Sequence, residues 1–177
     1  MPNLPVPVWA SNYTPGQYDT AALMNVIGNN GQFLTNPPIF AGFQSAAQSI
    51  ANSTVTALAM DSSVIDSYGG HSNVTNNSRY TAQVAGWYFI IAQVGYAANS
   101  SGNRLIEMRK NGSGTTLNLG QGVGLAPTTS NNAANQVCTL VQLSAGDYME
   151  AFTYQTSGVS LNTIAAQTGM TVLWLHA

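Results

Sequence analysis

Four basic and six acidic side chains are all that this chain of 177 residues has to hold a charged surface in water. They make up 6% of the residues, against roughly 25% in an average soluble domain. Long surface helices draw on Glu and Lys, so they are disfavoured here. Strands joined by turns are favoured, because Asn, Ser, Thr, Gln and Gly can solvate their loops without charge. Those residues crowd the segments between the hydrophobic runs, and the chain reads as mostly β. A hydrophobic content of 45% is enough for one real core plus an extension. Neutral surfaces of this kind accompany shells, fibres and spikes, whose subunits bury large interfaces.

The few charges also exclude partners. Net charge is −2, and the cations are Arg79, Arg104, Arg109 and Lys110 alone, too few for a phosphate-binding surface, so nucleic acid is not expected. The single Cys138 lies in the apolar run QVCTLVQL, where a buried thiol is expected and an intrachain disulfide is impossible. MPNLPVPVW carries no basic region followed by an apolar stretch, and no run is long enough to span a bilayer. The expectation is a protein made and assembled in the cytosol, with no membrane partner.

Two regions follow from the pattern. Residues 1–45 read as an arm: Pro2, Pro5, Pro7 and Pro15 favour extended backbone, and Asp19 or Thr20 can cap a short helix near 20–28 that stops at Asn29, Asn30 and Gly31. Asn36-Pro37-Pro38 breaks the chain again, and IFAGFQSAAQSIANS is ambiguous. Residues 46–177 read as the main domain. There STVTALAM, RYTAQV, NRLIEMRK, QVCTLVQL, YMEAFTYQ, VSLNTIAA and GMTVLWL show strand character, and GWYFIIAQVGYAA is apolar on both faces like a central strand. Asn111-Gly112 is a hairpin turn signal, followed by a short strand near Thr115 to Leu119 and a long polar excursion to about residue 135. Eight to ten short strands fit an all-β antiparallel sandwich or jelly roll.

Three spaced motifs carry a resemblance. YTAQVAGWYFI places Tyr80, Gly86, Tyr88 and Ile90; NRLIEMRKNG follows; LSAGDYM places Leu143, Gly146, Asp147 and Met149 before the last strand. In order and spacing, residues 53–177 resemble the globular head of complement component one q and its tumour necrosis factor relatives. The opening segments TPGQYDTAALMN and FLTNPP are similar to the starts of actinobacteriophage minor tail and head fibre proteins. Together these resemblances imply a virion subunit with a homotrimeric jelly-roll head. Aromatic residues of one sheet would then pack near a three-fold axis, drawn from Trp87, Tyr88, Phe89, Tyr96, Phe152, Tyr154 and Trp174. The plainer alternative is that all of them fill one subunit's core. The arm would dock onto the major capsid protein or another virion protein through Trp9, Tyr13, Tyr18 and Leu23. A tail-fibre or baseplate head that binds a host surface glycan through loop 113–135 is the rival role, and a secreted bacterial binding module is a third.

Chemistry was sought in the polar residues. His71 has Asp66 and Ser72 nearby in DSYGGHSN, but proximity in sequence is not triad geometry. The acids Asp19, Asp61, Asp66, Glu107, Asp147 and Glu150 are dispersed; Asp147 suits a Gly-Asp bend, and the two glutamates can pair with arginines across strands. An ion on a three-fold axis, held once per subunit by His71, Asp61 or Asp66, is conceivable, but no Asp-x-Asp loop supports it. GQGVG leads to Leu, Ala and Pro rather than to a Lys-bearing helix, so it reads as loop punctuation. The expectation is a non-enzyme without cofactor.

Overall fold

The computed structural model describes residue 16 and residues 18–112, 121–124 and 132–177. Its first half contains helix α1 (Ala21–Thr35) and strands β1 (Ile39–Phe43), β2 (Ser49–Ile50), β3 (Thr56–Ala57), β4 (Ser62–Asp66) and β5 (Arg79–Thr81). The rest contributes β6 (Gly86–Tyr96), β7 (Arg104–Lys110), β8 (Gln121–Gly124), β9 (Ala133–Leu143), β10 (Tyr148–Gln155), β11 (Leu161–Asn162) and β12 (Gly169–His176). Sheet I runs β4-β1-β12-β6-β9. Sheet II runs β3-β10-β7-β8, with β5 also on β10, and β11 pairs with β2. All strand pairs are antiparallel.

Period-two alternation explains the layering. In β6 the side chains of Tyr88, Ile90, Ala92 and Val94 point inward while Trp87, Phe89, Ile91 and Gln93 point out. The inward set meets Phe40 and Val172 of sheet I and Ile106, Met108, Met149 and Ala151 of sheet II in one core. Tyr88 and Tyr96 are fully buried, and each hydroxyl is satisfied: Tyr88 donates to the Val84 carbonyl (2.5 Å), and Tyr96 bonds Thr153 Oγ1 (2.7 Å). Gly86 opens β6 at φ 148°, and a Cβ there would collide with the His176 carbonyl oxygen and the Trp174 indole nitrogen. Asn111 and Gly112 end β7 with positive φ, 54° and 63°, but the β7–β8 register, Arg104↔Gly124 to Glu107↔Gln121, is not that of a two-residue loop at this point.

Several boundaries differ from the sequence expectation. The sandwich begins at Ile39, within the segment expected to be arm, because β1 pairs with β12 from Ile39↔Leu173 to Phe43↔Gly169. Helix α1 runs to Thr35 instead of stopping near residue 28. Gly and Asn inside a helix cost only about 0.5–1 kcal/mol each, and Phe33, fully buried against the body, holds the last turn in place. Thr20 is the N-cap, accepting from Leu23 N (3.2 Å), and the Asn36 N–H closes the C-terminus on Gln32 O (3.0 Å) and Phe33 O (3.2 Å). The expected strand at 115–119 lies outside the described residues, and β8 is found at Gln121–Gly124.

Candidate functional site

Sheet I presents an outward face with no charged side chain on β1, β12, β6 or β9. Its cross-strand register lines up apolar side chains. Ile39 lies beside Leu173, Leu173 beside Phe89, and Phe89 beside Leu140, so one row crosses four strands. A second row, Ala41, Thr171, Ile91 and Cys138, lies next to it, and Trp87 follows on the other side with the His176 ring 6.4 Å away. Leu140 is 53% exposed, while Ile39, Leu173, Phe89 and Ile91 are half-buried by one another. An uncharged face with an apolar row, of which Leu140 is the most open member, is the candidate contact surface of the described residues.

Sheet II is the opposite. All four cations sit on it: Arg79 on β5 and Arg104, Arg109 and Lys110 on β7. Arg79 Nε bonds Glu150 Oε1 (3.2 Å), Arg109 Nε bonds Glu107 Oε1 (2.6 Å), and Lys110 Nζ meets Asp147 Oδ2 (2.7 Å). The guanidinium of Arg79 lies 4.2 Å over the Tyr148 ring and that of Arg109 lies 4.5 Å over Phe152. Asp147 is drawn down to a pKa of about 2 by the Asn111 amide, then by Lys110 and the Ser144 N–H. Arg104 is fully buried, and its Nη groups donate to the carbonyls of Ser101 (2.9 Å), Asn103 (3.1 Å) and Asn99 (3.1 Å). Burial pulls its pKa below the usual arginine value.

The residues weighed for catalysis are engaged in loop structure. Asp66 accepts from Gly70 N (3.0 Å) and His71 N (2.9 Å), one bond on each carboxylate oxygen. The His71 ring nitrogens lie 2.6 and 3.0 Å from the carbonyl oxygens of Arg79 and Met60, and its ring sits on Phe40 at 4.7 Å. Asp61 binds Ser45 through its backbone N–H (2.6 Å) and hydroxyl (2.9 Å), and the backbone bond lowers its pKa. Among the described residues no three His, Cys, Asp or Glu side chains come together to hold a metal, and no helix is long and apolar enough to cross a membrane.

No family model and no curated protein matches the chain. Solved structures do. The globular domain of zebrafish complement 1qA protein is 10% identical, with 78% of this chain and 98% of that one covered at a TM-score of 0.57. Murine APRIL at pH 5.0 is 13% identical over the same shares at 0.59, and the Eiger TNF of S. frugiperda is 11% identical, covering 79% and 95%, at 0.56. The fold is the C1q/TNF-like jelly roll. At these identities the likeness carries architecture alone.

Within this jelly roll the residues singled out from sequence separate into four places. Trp87 and Phe89 lie on the uncharged face of sheet I; Tyr88 and Tyr96 lie in the core; Phe152 and Tyr154 point outward from sheet II. Trp174 joins a small satellite cluster, with Phe33 edge-on at 4.8 Å and its indole N–H on Ala85 O (3.1 Å). They therefore do not form one packing surface. Of the arm residues, Tyr18 is 88% exposed, Leu23 is half-buried on α1, and Trp9 and Tyr13 lie outside the described residues. Cys138 is exposed, contrary to the buried thiol expected, because the register of β9 turns Val137, Thr139 and Val141 inward. Ile39, Ile91, Leu173 and Leu140 were missed. Their signal is visible only once β1, β12, β6 and β9 are set side by side.

Proposed function

We propose that the chain is a non-enzymatic structural subunit whose jelly-roll head assembles as a homotrimer through the uncharged face of sheet I and is held on a virion surface by its N-terminal arm. The observation that carries the assembly is the row Ile39, Leu173, Phe89 and Leu140. A face with no charge meets its own copies without like-charge repulsion, and burying it returns the hydrophobic free energy that exposure withholds. Three-fold packing through one sheet is what the resemblance to complement component one q heads implies, and the aromatic Trp87 and Phe89 suit the centre of such a contact. The virion address rests on the likeness of the opening segments to phage head fibre and minor tail proteins. Attachment through three arms at once would turn weak single contacts into firm binding.

Two measurements test this. Sedimentation equilibrium of the full chain should give three times the mass of 18.6 kDa. A thiol reagent should modify Cys138 slowly in the assembled protein and quickly after dilution below the dissociation midpoint, since this side chain lies in the second row of the face. A single-chain mass at micromolar concentration with fast labelling throughout overturns the trimer. Deleting residues 1–20 should leave the trimer intact and abolish binding to particles; retained binding overturns the attachment role.

A further inference from the structure

Helix α1 is unusual for a surface helix. It carries no charged residue in AALMNVIGNNGQFLT, and Phe33 is its only buried side chain. Met24 is 53% exposed, Ile27 46% and Leu34 69%. An isolated helix of fifteen residues is marginal in water even with good helix formers, and this one contains two glycines and three asparagines. Its stability therefore depends on packing, which the described residues supply chiefly at Phe33.

Two stripes run along it. Leu23, Val26, Asn30 and Phe33 recur at a 3-4-3 spacing; Phe33 is buried, Leu23 and Asn30 are half-buried, and Val26 is 37% exposed, so this stripe turns toward the body mainly at its C-terminal end. Met24, Ile27, Gly31 and Leu34 repeat the same spacing one residue on, about 100° round the helix, and remain open. That is the spacing of side chains that meet between parallel helices.

We infer that the open stripe is covered by the same helix of the other two copies, so that the three α1 helices form a parallel bundle beneath the trimeric head. This rests on the trimer proposed above and extends it to a second contact. The link between helix and head is what selects this occupant. Between them stand only Asn36, Pro37 and Pro38, and these are fastened: Ser67 Oγ donates to Pro37 O (2.9 Å), and Trp174 N donates to Pro38 O (3.0 Å). Phe33 docks on Trp174 of β12; the Trp174 side chain turns inward beside Tyr88, while the neighbouring Leu173 turns outward into the apolar row. Packing three heads through that row gathers three helix anchors at the same end of the assembly. Because α1 has no charge, the copies approach without repulsion. A partner of different chemistry would find no charge on this stripe to recognise.

The test uses the full chain with Cys138→Ser as background. Ile27→Cys should form interchain disulfide under mild oxidation at micromolar protein, while Asn25→Cys, on the far side of the helix, should not. Met24→Asp with Ile27→Asp should weaken trimerisation by about tenfold or more, as expected for apolar side chains that lose their burial. A protein that still sediments as a trimer, with Ile27→Cys remaining reduced and the double Asp variant assembling as wild type, overturns the bundle and leaves the head contact standing. A wild-type single chain overturns both. Cross-linking at Ile27→Cys only to a different protein also overturns the bundle.

Discussion

Leu140→Asp is the most direct probe of the uncharged face. Leu140 ends the four-strand row beside Phe89 and keeps 53% of its surface in water in the single chain. Full burial of a leucine is worth about 1.5–3 kcal/mol, so covering the remaining half contributes about 1 kcal/mol per copy. Three symmetric copies make about 3 kcal/mol, or roughly two orders of magnitude in the trimer association constant. An aspartate adds the cost of three carboxylates brought to a face with no cation, several kcal/mol more. Within the single chain the side chain points away from the core, so thermal stability of dissociated protein should change by no more than about 1 kcal/mol. Sedimentation equilibrium over a hundredfold concentration range, with melting curves at the dilute end, separates the two effects. Tyr154→Asp, outward on sheet II, is the matched control and should leave assembly unchanged. A Leu140→Asp protein that assembles like wild type would refute the assignment of this face.

Other consequences are local. Phe33→Ala removes the one buried anchor of α1, a change that costs about 3–5 kcal/mol at a core phenylalanine; hydrogen exchange should show α1 amides losing protection while β6 and β12 keep theirs, and a global loss of sheet protection would contradict the satellite status of this cluster. Asp147 has its folded pKa lowered to about 2 from an ordinary 3.8, so its contribution is complete above about pH 4 and disappears as pH falls through 2. Asp147→Asn should therefore flatten the fall of the melting temperature between pH 4 and 2, and an identical acid profile would show that Asn111 and Lys110 do not act on it in solution. Tyr80 has a buried hydroxyl with no hydrogen-bond partner among the described residues, and burial pushes its pKa up. Tyr80→Phe should be neutral or stabilising by up to about 1 kcal/mol in urea unfolding; a loss above about 1 kcal/mol would reveal a partner for that hydroxyl.

How much of this was legible in the sequence depended on whether the cause was local. Asn111-Gly112 could be read directly, because positive φ at both positions is a property of those two residues. Gly86 stands out only within the resemblance, because the Trp174 indole and the His176 carbonyl that exclude a Cβ there come from the far end of the chain. β1 was not legible: IFAGF becomes a strand through its register with β12 at the other end of the chain. The facing of β9 was hidden for a similar reason. AANQVCTLVQL has apolar residues in both phases, Val137 and Val141 in one and Cys138 and Leu140 in the other, and only pairing with β6 fixes which is inside. It places Thr139 inside at 3% exposure and leaves Leu140 out. A one-residue error of phase thus concealed the face on which the functional proposal rests.

That phase also explains the scarcity of charge. The four cations are not thinly spread but gathered on sheet II, where Glu107, Glu150 and Asp147 pair with three of them. Sheet II is thereby suited to water, with Arg79 and Arg109 lying over the Tyr148 and Phe152 rings. The outward face of sheet I and the whole of α1 receive none. If both faces of the sandwich met solvent equally, nothing in the packing of the core would favour this division, since outward positions on β6 and β9 accept a charge as readily as those on β7 and β10. Burial of that face in the proposed trimer would make a charge there costly. The placement of seven of the ten charged side chains on or beside sheet II thus supports the assembly proposed above, in which sheet I meets other copies and sheet II meets solvent.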